Sequence, residues 1–326
     1  MTLRTSTASG KRRTRFALAC AIAVTALLPV RTMAKVANTC SPGTTLRLSA
    51  PATIQGGLLL IELKSTKALA EMSGEWEGRS VPFWRDMARD RERKGLLGVD
   101  LEKAPGEYEL KVTGQTASGE KIRCSATVAV RKGQYATEKL QVEKHFVEPD
   151  AEQVKRANEE RQKLRDIFDR VTPERLWDGK FRIPLDGVTT GTNFGKRRIL
   201  NGVPGSPHGG ADLPGATGTP VHAAQRGKVV LAEELFFSGN TGVVDHGLGI
   251  YTFYGHLSEI GVKVGDVLET GDVLGKVGAT GRVTGPHLHW GLTVEKARVN
   301  PLLIVKLLDS ASGEAVRKQP SKSGTK

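Results

Sequence analysis

The sequence predicts a mainly β protein, with an N-terminal Ig-like β-sandwich, a connecting helix and a C-terminal β domain. Three observations carry this. Glycine is abundant, at 38 of 326 residues, which favours turns and short strands over helical bundles. Period-two alternation recurs through both halves, and helical periodicity is confined to one stretch between them.

The N-terminus comes first. Lys11-Arg-Arg-Thr-Arg15 is a basic region and Phe16 to Val30 an apolar run. Thr32-Met-Ala34 then offers the small residues of a cleavage site, so residues 1–34 read as a signal peptide. Its removal leaves an exported chain with no stable membrane anchor, placed in the periplasm or cell envelope; the alternative is that the apolar run is kept as an anchor, for which it is short. Cleavage also removes Cys20. Cys40 and Cys124 remain and are the disulfide candidate in an oxidising compartment.

Residues 35–140 read as the Ig-like domain. Thr45-Leu-Arg-Leu-Ser49, Tyr108-Glu-Leu-Lys-Val112 and Ala126-Thr-Val-Ala-Val130 alternate, and Leu58 to Leu63 is a buried apolar run. Pro42-Gly43, Gly56-Gly57, Pro105-Gly106 and Gly119 separate the strands. The charged stretch from Arg85 to Lys94 reads as a solvated loop or short helix. Residues 141–180 form a helical connector. Asp150 with Gln153 makes a capping-box variant, and Leu164, Ile167, Phe168 and Val171 share one face. Thr172-Pro173 fits the start of a further helical turn. Residues 181–305 return to glycine-punctuated strands, and 306–326 read as a disordered basic tail.

The net charge of +13 suggests nucleic acid until it is mapped. Six basic residues precede Lys35 without an acid, and Arg317, Lys318, Lys322 and Lys326 stand against Glu314 alone. The ends account for nine of the thirteen charges, leaving about +4 for the body. A nucleic-acid partner is therefore not expected.

Candidate chemistry is packed into one third of the chain, which holds His208-Gly-Gly-Ala-Asp212, His256 and His287-Leu-His289 out of seven histidines in all. Pro207, Gly209, Gly210 and Pro214 argue against a helix around the first motif, and the glycines suit close backbone approach to a metal or substrate. On a strand, His287 and His289 point to one side while Leu288 points to the core. His256 alternates with Thr252 and Tyr254, which would place all three on one face. A catalytic zinc takes three protein ligands and keeps an open position. Two imidazoles and a carboxylate are donors that suit hydrolysis, and two further imidazoles could move protons. Spacing alone does not say which histidine of the His-Leu-His pair binds metal.

These motifs resemble the LytM/lysostaphin-type (M23) zinc metallopeptidases of the exported Gram-negative type. The resemblance rests on His208-Gly-Gly-Ala-Asp212, Tyr254-Gly-His256-Leu257 and Thr284-Gly-Pro-His-Leu-His289. It is extended by Phe194-Gly-Lys-Arg-Arg198, Gly218-Thr-Pro-Val221, Asp245-His-Gly247 and Thr280-Gly281. It implies an antiparallel β peptidase domain with an open groove, and a zinc-dependent endopeptidase cleaving peptide bonds in peptidoglycan stems or cross-links. By matching position it implies that His208, Asp212 and His289 hold Zn2+, and that His256 and His287 are the catalytic pair. His246, in Asp-His-Gly, is given a structural role. Gly205 departs from the pattern, since exported members often carry Arg there. One alternative is a non-catalytic LytM-type activator of another wall hydrolase, a role that usually goes with lost ligand or catalytic residues. Another is a lipoyl- or biotinyl-carrier hairpin at Val264 to Gly275, which lacks the lysine that would carry the cofactor.

Overall fold

A computed structural model describes residues 38–85 and 89–317. The signal-peptide segment, Cys20 and the tail beyond 317 lie outside the described residues. The protein is mainly β, with two α-helices among those residues: α1, Ala151–Phe168, and α2, Leu302–Arg317. No described helix is long and apolar enough to cross a membrane.

The strands between Thr39 and Arg131 form one nine-stranded, barrel-like sheet. Arg79–Arg85 makes it continuous by pairing with Leu69–Trp76 on one side and Glu92–Gly98 on the other. Alternation builds its core: along Lys121–Arg131 every second residue turns inward. These inward residues meet Ile61, Leu63, Trp76, Leu97 and Leu110. Cys40 and Cys124 are disulfide-bonded and face each other as register partners, closing the first strand onto the last long one. Arg85 to Lys94 is not wholly a solvated loop. Its second half opens the Glu92–Gly98 strand, where Arg93 is buried and donates to Leu69 O, so that charge is satisfied inside the sheet.

Leu58–Ser65 explains its unbroken apolar run. Leu59, Ile61 and Leu63 point into the barrel-like core. Leu58 and Leu60, on the opposite face, join Trp84 and Leu96 in the core of the C-terminal domain. A strand buried on both faces has no polar side to show. The described residues accordingly fall within a single compact unit. At the rim of this contact Arg298 grips Asp100 at 2.9 and 3.1 Å and Glu102 at 2.6 Å.

Helix α1 begins at a full capping box between Asp150 and Gln153. Leu164, Ile167 and Phe168 lie on Leu231, Leu235, Val243 and Tyr251, so the connector's apolar face packs on the C-terminal domain. Val171 falls beyond the helix and is exposed. Thr172-Pro173 starts no helical turn. That backbone is used instead by the 245–248 loop: Leu248 N–H donates to Thr172 O at 2.7 Å and Leu176 N–H to His246 O at 3.0 Å.

The C-terminal sheet is antiparallel throughout its main path. In spatial order this path runs Gly210–Pro214, His287–Val294, Ile250–Ile260, Gly239–Asp245, Gly227–Leu235 and Val267–Leu268. Its inner face carries Leu213, Tyr254, Leu257, Leu288 and Trp290. The supposed tail begins in order: α2 covers Leu302–Arg317, with Ile304 and Leu308 in the core. The apolar run Leu302-Leu-Ile-Val-Lys-Leu-Leu308 is what holds it there, and the basic composition farther on obscured it.

Candidate metal centre

Three neighbouring strands bring the site together. Asp212 and His289 are register partners across one strand pair, and Gly255 is the partner of His289 across the next. Leu288 and Trp290 are fully buried on the inner face, so His287 and His289 share the outer one. His208 is placed by the 192–196 segment. Gly195 N–H donates to His208 O at 2.8 Å, His208 N–H to Lys196 O at 2.9 Å, and Asp212 N–H to Thr192 O at 2.9 Å.

Gly210 is required where it stands. A Cβ there would lie 2.6 Å from Trp290 O and 2.7 Å from His289 Nε2. Gly209 is under no such constraint, since its nearest contact would be 3.6 Å away.

His256 reaches the site by breaking strand geometry. Thr252 and Tyr254 point to the buried side, where their hydroxyls meet at 3.0 Å. Continued alternation would send His256 there too. Instead its φ is +64° beside a register shift at Leu257/Glu259, a bulge that redirects the side chain. Its ring lies 4.9 Å from that of His287 and 5.9 Å from that of His289. A non-glycine residue held in this region costs about 1–3 kcal/mol and persists only where its surroundings impose it. His256 N–H donating to Ser238 O at 2.7 Å is one such hold.

His208 Nε2, His289 Nδ1 and Asp212 Oδ1 converge. Nε2 is 2.7 Å from Nδ1 and 3.1 Å from Oδ1, and Nδ1 is 3.3 Å from Oδ1. Tetrahedral zinc with bonds of about 2.0–2.1 Å separates its ligand atoms by roughly 3.3 Å. Three atoms able to ligate, at nearly that spacing, fit a metal ion that would take the place of the protons now shared among them. His208, Asp212 and His289 form the one His/Cys/Asp/Glu group of metal-binding compactness among the described residues. His287 Nε2 stands 3.5 Å from Asp212 Oδ1 but outside that trio.

Surrounding groups hold the donors in place. Asp212 Oδ2 accepts from Asn193 at 3.0 Å and Arg198 at 3.2 Å, leaving Oδ1 for the metal. Burial works against the Asp212 charge, but the hydrogen bonds from His208 and His289 overcome it and hold the carboxyl well below its ordinary range. Burial, with His289 nearby, pushes His208 down to about 4, so it stays neutral and able to donate a lone pair at neutral pH.

The remaining pair is prepared differently. His256 Nδ1–H donates to Thr280 O and His287 Nδ1–H to Gly285 O, each at 2.8 Å. A carbonyl can only accept, so Nδ1 carries a proton in both rings and Nε2 is the nitrogen left for proton transfer. Burial, then the charge of His289, lowers His256 to about 3.

His246, fully buried between Arg226 O at 2.8 Å and Thr252 Oγ1 at 2.7 Å, is held by its neighbours away from this site. His145 and His222 also lie elsewhere. Sequence reasoning missed Asn193, Thr280 as the His256 anchor, and the wall supplied by Thr137–Leu140. That strand pairs in parallel with Arg197–Leu200 and puts Glu138 and Leu140 beside Asp212 and His287. No local pattern announces a pairing across some sixty residues.

Residues 206–301 match the profile described as Peptidase family M23. The Vibrio cholerae peptidoglycan DD-endopeptidase ShyA is 40% identical over 125 residues, covering 37% of this chain and 29% of that protein. The Neisseria meningitidis DD-carboxypeptidase/endopeptidase Mpg is 38% identical over 97 residues, covering 30% and 22%. The chain thus spans less than a third of the length of these curated relatives. A crystal structure of a Pseudomonas aeruginosa protein, described as a candidate M23 peptidase, superposes with a TM-score of 0.60 at 29% identity. It covers 79% of this chain and 96% of its own.

Proposed function

We propose that this chain, whose residues 206–301 form a peptidase family M23 domain, is a zinc-dependent endopeptidase that hydrolyses peptide bonds in peptidoglycan stems or cross-links. The observation that carries the proposal is the convergence of His208, Asp212 and His289 on one point, with two further imidazoles at hand. A zinc ion held there would supply Lewis-acid polarisation and lower the pKa of water to about 7. His208, Asp212 and His289 hold it, while Asn193 and Arg198 orient the carboxylate from its far oxygen.

His256 and His287 present to the same space their Nε2 atoms, the ring nitrogens not tied to a backbone carbonyl. Amide hydrolysis needs a proton taken from water and a proton delivered to the leaving amine, and these two atoms serve that transfer. All five residues are present, which disfavours the non-catalytic activator. The names of the relatives, peptidoglycan DD-endopeptidases among them, support the wall peptide as substrate. That substrate fits an exported protein in the periplasm or cell envelope.

The test offers cross-linked muropeptides to zinc-loaded protein and looks for new termini by mass spectrometry. Cleavage that stops on chelation and returns with zinc is expected. Fully zinc-loaded protein that leaves sacculi and muropeptides intact would sink the hydrolase reading.

A further inference from the structure

Arg282 and Arg198 stand together beside the metal centre with too little acid to neutralise them. Both line a cavity of about 190 Å³ that reaches His208 and His289. Both also line a smaller one, of about 80 Å³, that reaches Asp212 and His287. Arg282 is held in position: its N–H donates to Phe237 O at 2.9 Å, and its guanidinium carbon lies 4.4 Å over the Phe237 ring. The side chain is half-buried. Burial, followed by the like charge of Arg198, depresses its pKa from the free value.

Two carboxylates reach these cavities, and both are already engaged. Asp212 Oδ2 takes Asn193 and Arg198 while Oδ1 faces the ligand imidazoles. Glu138 pairs with Lys196 at 3.1 Å. Among the described residues the Arg282 guanidinium stacks on Phe237 with no carboxylate paired to it, and Arg198 Nε is buried without an acceptor. Half-burying two cations in one groove is unfavourable unless an anion completes it. A guanidinium's planar fork matches a carboxylate bidentately.

We propose that Arg282, with Arg198 beside it, binds a carboxylate of the peptide substrate and so determines which peptides the site takes. This deepens the endopeptidase reading and rests on it for the identity of the substrate. Peptide stems of the wall carry free carboxylates close to their amide bonds, and the groove places such a group next to the metal.

The test measures binding and cleavage separately on zinc-loaded protein, with a cross-linked muropeptide and its fully amidated twin. Wild type should bind the free acid roughly 10–100-fold more tightly than the amide, the range of a hydrogen bond to a charged group. Arg282→Gln should lose that preference by weakening the acid alone, and Arg282→Lys should recover part of it. Equal binding of the two peptides by wild type overturns the proposal, as does failure to bind either. It is also overturned if Arg282→Gln weakens both alike, or if Arg282→Lys does no better than Arg282→Gln. Acid preference without cleavage keeps this proposal and removes the hydrolase reading. Cleavage without acid preference does the reverse.

Discussion

His256→Ala is expected to retain one zinc per chain and to lose about 10²–10⁴-fold in kcat, the contribution of a positioned proton-transfer group. Retention follows because His256 belongs to none of the three converging donors. The loss follows from its Nε2, left free by the Nδ1–H bond to Thr280 O, which no neighbour could replace except His287. The strain at φ +64° remains with Ala, so stability should change little for that reason. Metal analysis and turnover on a muropeptide, made on the same sample, provide the check. A variant that loses zinc, or turns over within tenfold of wild type, contradicts the assignment.

His208→Ala should lose metal and activity together. The residue is 4% exposed, and its Nε2 lies within 3.1 Å of both other donors. Removing it leaves two ligands and opens a hole that water enters. Loss of a group that merely orients a ligand weakens metal binding by about 10–100-fold, and loss of the ligand itself should exceed that. Zinc content after dialysis should fall close to zero, with cleavage falling alongside it. Retained zinc with full activity would remove His208 from the ligand set. The contrast between the two variants separates holding the metal from moving the proton.

Much of this was legible in the chain because strands report their own geometry. His287-Leu-His289 had to put two rings on one side once it was a strand, and Leu288 and Trp290 are indeed fully buried opposite them. The alternating strands and the capping box of α1 were readable for the same local reasons. His256 was readable as a candidate but not in its direction. Period-two logic sent it to the side of Tyr254, and a bulge with positive φ sends it to the metal centre. The double-sided burial of Leu58–Ser65 was visible as an apolar run, yet the identity of the second core was not. Helix α2 was not legible because the polar, basic residues that follow Ser310 mask the apolar residues from Leu302 to Leu308 that seat it. Asn193 and Arg282 gain meaning only from what stands beside them in space.

The division of labour between His287 and His289 is the point on which the account turns. Anomalous diffraction at the zinc edge, on crystals of zinc-loaded protein, tests it most directly. The ion should lie about 2.0–2.2 Å from His208 Nε2, His289 Nδ1 and an oxygen of Asp212, with His256 and His287 unligated beside it. An ion bound through His287 in place of His289, or bound away from these three residues, would contradict the account.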